Sequence, residues 1–249
     1  SGFDPPCQAR PETDCLQPCT IRLRLGGRDN TGQFAGAGMT DRQKTLVLTG
    51  ASRGIGHATV KRFSSEGWRV LTCSRQPFDA RCPWPGGEEN HIQLDLASPN
   101  NTIEAIEVIR EKLDGQLDAL VNNAGIFAGK DFFESTDEEW EKHWQVNVMS
   151  AVRLSRALAP AMIKKAWGRI VMLGSESSFN IPPDMIHYGV SKSADVAFAR
   201  GLAKRLAGTG VTVNSVLPGP TLSDGVETML AALAKDSGKP LAELKAEFV

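Results

Sequence analysis

Thr45-Leu46-Val47-Leu48-Thr49 runs directly into Gly50-Ala51-Ser52-Arg53-Gly54-Ile55-Gly56, and the reading of this stretch decides the fold. The first five residues form an apolar, β-branched run bounded by glycine, which reads as a strand. Gly50, Gly54 and Gly56 follow in the pattern G-x-x-x-G-x-G, where a missing Cβ lets backbone turn sharply and approach a ligand. Ile55, Ala58, Thr59 and Phe63 then recur at helical spacing, and Gly67 closes that helix. A helix that starts in a glycine turn offers free N–H groups and partial positive charge, a place for a pyrophosphate. No Lys-Ser/Thr follows the last glycine, so the pattern is not a P-loop. The plainer alternative is a glycine turn with no ligand; the strand before it and the helix after it favour a nucleotide.

The same alternation continues along the chain. Residues 68–73 and 91–96 read as the second and third strands. Between them Pro77, Pro83, Pro85, Gly86 and Gly87 crowd residues 76–90, too many breakers for a helix. Ser98 caps a helix to about residue 113, and 117–123 is the fourth strand. Ser135 or Thr136 caps a long helix to about residue 166. The fifth strand is 169–174, a helix follows over 187–207, the sixth strand is 211–217, and helical pieces fill 223–236 and 240–247. Nearly continuous apolar strands separated by helices predict an α/β fold: a single doubly wound, Rossmann-like parallel sheet of six strands. Ligands bind such sheets at the carboxyl ends of the strands. Gly50, Arg75, Asp95, Asn123, Ser175 and Pro218 all fall there.

Composition narrows the partners. The 249 residues are 41% hydrophobic and 23% charged, with a formal net charge of −1, so neither nucleic acid nor a membrane surface is an expected partner. No run of about 18 apolar residues appears, so no membrane span is expected. Cys7, Cys15, Cys19, Cys73 and Cys82 read as free thiols in a reducing, cytoplasmic setting, and no metal site is expected. Residues 1–38, rich in Pro and Gly, read as a disordered tail, with Met39 a candidate natural start and 39–249 the catalytic domain.

The chain has one tyrosine, Tyr188, and Lys192 comes four residues later in a helical run. That spacing puts phenol and ammonium on one helix face. A cation about 5 Å from a phenol, at an effective dielectric of ~20, favours its ionised form by roughly 3 kcal/mol. Ser175 lies thirteen residues before Tyr188, and Asn147 further upstream. Standing alone, Tyr188 reads as a packed aromatic, Ser175 as a turn hydroxyl and Asn147 as a mid-helix polar residue. After the second strand the sequence reads Thr72-Cys73-Ser74-Arg75, with no acid to hold a ribose 2′-hydroxyl. Arg75, helped by Arg53, suits a 2′-phosphate through its planar fork of donors, so NADP is expected in preference to NAD.

Taken together, TGASRGIG at 49–56, Asp95, NNAG at 122–125, Asn147, Ser175, YGVSK at 188–192 and PGPT at 218–221 resemble the short-chain dehydrogenase/reductase family over residues 44–247. The resemblance implies hydride transfer between NADP(H) and a carbonyl or alcohol substrate, as in 3-oxoacyl reductase-like members. Tyr188 would be the acid/base, Lys192 its partner and a ribose ligand, Ser175 the holder of the substrate oxygen, and Asn147 the support of a water relay. Gly50, Ser52, Arg53, Gly54, Ile55 and Gly56 would cradle the cofactor. Asp95 would meet its adenine, and Leu96 would also contact the cofactor. Asn123, Ala124 and Gly125 would line it, and Pro218, Gly219 and Thr221 would hold its nicotinamide end. Homo-oligomers through helices 135–166 and 187–207 are also implied.

Two departures from the family stand out. Residues 76–90 take the place of a helix, and no seventh strand follows residue 217, leaving strand six as an edge. A non-catalytic nucleotide-binding protein, or an isomerase or dehydratase with tightly held cofactor, are therefore the alternatives. Ile126, Phe127, Phe179, Ile181, Pro182, Met185 and Ile186 are expected to wall a moderately apolar substrate pocket, with Glu176 and His187 on its polar rim.

Overall fold

The computed structural model describes residues 42–80 and 84–248. The expected tail over 1–38, and Cys7, Cys15, Cys19 and Cys82, lie outside the described residues. Six parallel strands form one sheet: β1 (Thr45–Thr49), β2 (Arg69–Ser74), β3 (His91–Gln93), β4 (Ala119–Asn122), β5 (Gly168–Leu173) and β6 (Val211–Val216). Their order is β3-β2-β1-β4-β5-β6, so the chain reverses direction of travel across the sheet between β1 and β4. That reversal opens a crevice at the strands' carboxyl ends.

Every residue of β1 is buried because the sheet is covered on both faces. Val47, Leu71, Leu120 and Ile170 belong to one core with α2 (Pro99–Leu113), α4 (Ser150–Lys164) and α5 (Ile186–Arg205). Leu46, Leu48 and Val70 point the other way, to Val60 of α1 (Gly54–Ser65). Trp84 packs on that second cluster and meets Phe78 edge to face at 5.0 Å. The breaker-rich segment therefore contributes a packed aromatic pair; no helix forms among its described residues. Cys73 is fully buried in the core, and burial pushes its thiol up to about 12, so it stays a neutral packing group.

Local signals explain the element ends. Ser98 accepts a hydrogen bond from Asn101 N–H and Pro99 follows, as a helix start requires. Thr136, not Ser135, caps the next helix, through a capping box with Glu139. The single long helix expected over 135–166 is three pieces: α3 (Asp137–His143), a π-helical turn (Trp144–Met149) and α4. Val146, Asn147 and Val148 are all buried there. Three consecutive residues cannot share one face of a regular α-helix, and the wider π-turn resolves the conflict. The third strand ends at Gln93, shorter than expected, although Leu94 and Leu96 are buried beyond it. Among the described residues β6 is an edge of the sheet, with Val216 and Leu217 exposed. Two helices follow, α6 (Asp224–Ser237) and α7 (Leu241–Phe248). No helix among the described residues is long and apolar enough to cross a membrane.

Candidate active site

A cleft of about 580 Å³ lies along the carboxyl ends of the strands. Its floor begins at the glycine turn. Gly50 and Gly54 take φ of +70° and +57°, backbone that favours glycine. A Cβ on Gly56 would overlap the Gly50 carbonyl and crowd the Asn123 amide. Asn123 Nδ2 donates to the carbonyls of Thr49 and Gly50, each at 2.9 Å, so β4 locks the turn after β1. Thr49 Oγ1 accepts from the N–H groups of Asn123 and Ala124. The result is a tight turn whose three glycines leave backbone open to the cleft, which fits a pyrophosphate. Ser52, Arg53, Ile55 and Arg75 line the same end and are exposed. Asp95 and Leu96 line the wall beside it, where the Asp95 carboxylate accepts from Ala97 N–H.

At the other end stand Tyr188, Lys192 and Ser175. Ser175 Oγ accepts from Ser177 N–H at 3.2 Å and is buried. It is thus a turn cap whose own O–H remains available as a donor. Asn147 does not line the cleft; it sits behind it. Its amide donates to Ile126 O (3.0 Å) and Ser191 Oγ (2.8 Å), and its Oδ1 accepts from Ile126 N–H (2.8 Å). Ser191 passes the link on by donating to Tyr188 O. Lys192 Nζ donates to Leu173 O at 2.8 Å. A Cβ on Gly125 would stand 3.4 Å from that ammonium, so the glycine keeps the way to it open. Pro218, Gly219 and Thr221 close this end, with Thr221 Oγ1 donating to Gly219 O.

Some side chains depart from expectation. Asp195, unremarked in the sequence, is buried with its Oδ2 3.2 Å from Lys192 Nζ. Only helical periodicity from Lys192 signals it. Burial, offset by Lys192, raises its carboxyl from 3.8 to about 6. Between about pH 4 and 6 the native carboxyl keeps a proton that the unfolded chain has shed, so this group lowers stability as pH rises through that window. Relative to Asp195→Asn, the wild type should lose up to about 3 kcal/mol across it in urea unfolding. His187 is no rim residue. It is buried and meets His143 edge-on at 4.1 Å between ring centroids, and burial lowers both imidazoles, keeping them neutral. Phe179 (74% exposed), Ile181 and Ile186 do not line the cleft. Their places are taken by Val226, Met229 and Phe248 of the C-terminal helices, which line it with Ile126, Phe127, Pro182 and Met185. Glu176 does line it, exposed.

Residues 44–233 match the family model described as short chain dehydrogenase. The chain belongs to the short-chain dehydrogenase family. An oxidoreductase of Bacillus subtilis, YvrD, is 40% identical over 202 residues, 80% of this chain and 76% of that one. The Escherichia coli 3-oxoacyl-[acyl-carrier-protein] reductase FabG is 34% identical over 195 residues, 78% of each. Among solved short-chain dehydrogenase structures, a Brucella ovis oxidoreductase with a partially ordered NAD is 43% identical, with a TM-score of 0.67, over 72% of this chain and 84% of that one. The L-sorbose reductase of Gluconobacter frateurii, solved with NADPH and L-sorbose, is 30% identical, with a TM-score of 0.73, over 81% and 78%. Among the described residues no group of three or more His, Cys, Asp or Glu side chains could hold a metal ion.

Proposed function

We propose that this short-chain dehydrogenase transfers hydride between NADP(H) and a carbonyl/alcohol pair, with Tyr188 as the acid/base. The observation that carries the reading is one cleft lined both by the glycine turn Gly50–Gly56 and by Tyr188, Lys192 and Ser175. When bound, the nicotinamide supplies hydride to the substrate carbon in the reductive direction. Tyr188 then gives its phenolic proton to the substrate oxygen. Ser175 donates its O–H to that oxygen and stabilises the charge that builds there. Lys192 has three N–H donors and spends one on Leu173 O and one toward Asp195, leaving one for a cofactor hydroxyl. Asn147 holds the Ile126 backbone and, through Ser191, the backbone of Tyr188, so the cleft wall and the acid keep their spacing.

Arg53 and Arg75 at the cradle, with no acid after β2, support NADP as the preferred cofactor. Charge-assisted bonds from such a guanidinium contribute ~1.5–3 kcal/mol each. Arg75→Asp should therefore shift the kcat/KM ratio for NADPH over NADH by roughly tenfold or more toward NADH. An unchanged ratio removes the assignment. The cleft walls supplied by Phe127, Met185, Met229 and Phe248 support a moderately apolar ketone or 3-oxoacyl substrate. NADPH oxidation against a panel of ketones, 3-oxoacyl thioesters and keto-sugars tests this; no turnover on any of them refutes the reductase reading. Self-association through α4 and α5 belongs to the same proposal and is read by light scattering.

A further inference from the structure

Tyr188, Lys192 and Asp195 follow one another at i, i+4 and i+7 along α5, so the helix carries all three on one face. Asp195 is 3% exposed. Its Oδ2 lies 3.2 Å from Lys192 Nζ, and its Oδ1 is buried with no hydrogen-bond partner among the described residues. Such a pair is poor ground for stability, because apolar residues of similar volume often do as well in a core. What it does fix is where the ammonium stands. Between Leu173 O and Asp195 Oδ2 the Lys192 side chain is held at two points.

We propose that Asp195 is a positioning residue for the Tyr188–Lys192 pair: it anchors the ammonium at the floor of the cleft, and its negative charge offsets part of the cation's pull on the phenol. The proposal rests on the reading of Tyr188 as acid/base. Lys192 is the charged group that acts on Asp195. Of the elements packed against α5, β6 and the π-turn carry no ionisable side chain. β5 carries Arg169 at its opposite end, and the 3-10 turn Glu176–Ser178 carries Glu176, exposed in the cleft. α3 meets His187 of α5 through Trp140 and His143, two turns from Asp195, and its Lys142 lines the cleft with Tyr188 in both wild type and variant.

Seven residues span about 10 Å of helix, a range over which, at an effective dielectric of ~20, the loss of one charge changes an equilibrium roughly tenfold. Asp195 itself takes up its proton near 6, and below that pH it resembles asparagine. The effect of removing its charge must therefore depend on pH in a way that loss of a purely structural contact does not.

The experiment compares wild type with Asp195→Asn in NADPH-dependent ketone reduction from about pH 5 to about pH 9. The ratio of the two kcat values should be flat below about pH 6, where both side chains are neutral. Above it, the alkaline fall of the rate should begin at lower pH in Asp195→Asn, so the variant's kcat relative to wild type drops roughly tenfold. If Asp195→Asn does not yield folded protein, Asp195→Ser, which keeps an acceptor and leaves room for water, carries the same test. A ratio independent of pH, or an alkaline limb that does not move, overturns the proposal. Turnover that survives Tyr188→Phe would instead remove the acid/base reading, whatever Asp195 does. An inactive Tyr188→Phe beside a flat Asp195→Asn ratio sinks this inference alone.

Discussion

Tyr188→Phe should lower kcat by roughly 10³-fold while leaving cofactor affinity within about threefold. The substitution removes one oxygen and keeps the ring, which packs edge-on against Phe127 at 6.2 Å between centroids. The backbone of residue 188 still accepts from Ser191, so the helix face that carries Lys192 is undisturbed. On the proposed mechanism, what disappears is the proton donor to the substrate oxygen, an interaction used in the transition state and not in binding. Such a loss lowers kcat and kcat/KM together. Stopped-flow NADPH oxidation gives both, and fluorescence titration gives the cofactor Kd. Because Tyr188 is the chain's one tyrosine, no second phenol can take its place. A variant that keeps more than about a tenth of wild-type turnover would leave the proposed mechanism without its acid.

Gly56→Ala should weaken cofactor binding roughly 10–100-fold, with a smaller loss of stability. The added methyl has no room. It meets the Gly50 carbonyl, which is backbone held at 2.9 Å by the Asn123 amide, and it also meets that amide. Relief requires the turn to open, and an opened turn no longer aims its N–H groups at one phosphate. Forced overpacking of this kind costs about 1–3 kcal/mol. Gly67→Ala is the matched control. Gly67 has a φ of +79°, but a methyl there would meet nothing within 4 Å, so its substitution strains backbone far from the cradle. It should cost about 1 kcal/mol of stability and leave NADPH affinity unchanged. Calorimetric titration with NADPH and urea unfolding of both variants separate the two effects. Equal affinity in Gly56→Ala would mean that the turn does not hold the cofactor.

The residues legible in the sequence were those tied to their neighbours by local geometry. The β1–glycine–α1 unit announced itself because a strand, a tight turn and a helix start each impose a residue pattern within a few positions. Tyr188 and Lys192 were paired by one helical turn, and Ser98 and Gly67 marked helix ends. Asn147 was singled out but its setting was not. A π-turn depends on three adjacent residues all being drawn inward by packing, which periodicity alone reads as helix. His187 looked like a rim residue because its burial comes from His143, forty-four positions away. Phe179 and Ile181 looked like pocket wall because they follow Ser175, yet a turn through Glu176–Ser178 sends them outward.

By itself the sequence determined the alternation of strands and helices, the glycine turn after β1 and the residues that follow each strand's carboxyl end. Those follow from backbone periods of two and 3.6 residues and from the steric exclusions of glycine and proline. Only the tertiary structure decided which distant groups share a cavity: Asp195 on the ammonium of Lys192, Asn147 behind the Ile126 backbone, and Met229 and Phe248 folded over a cleft begun at Gly50. Such meetings are settled by the packing of whole faces, where many weak contacts add up, and no spacing along the chain encodes them.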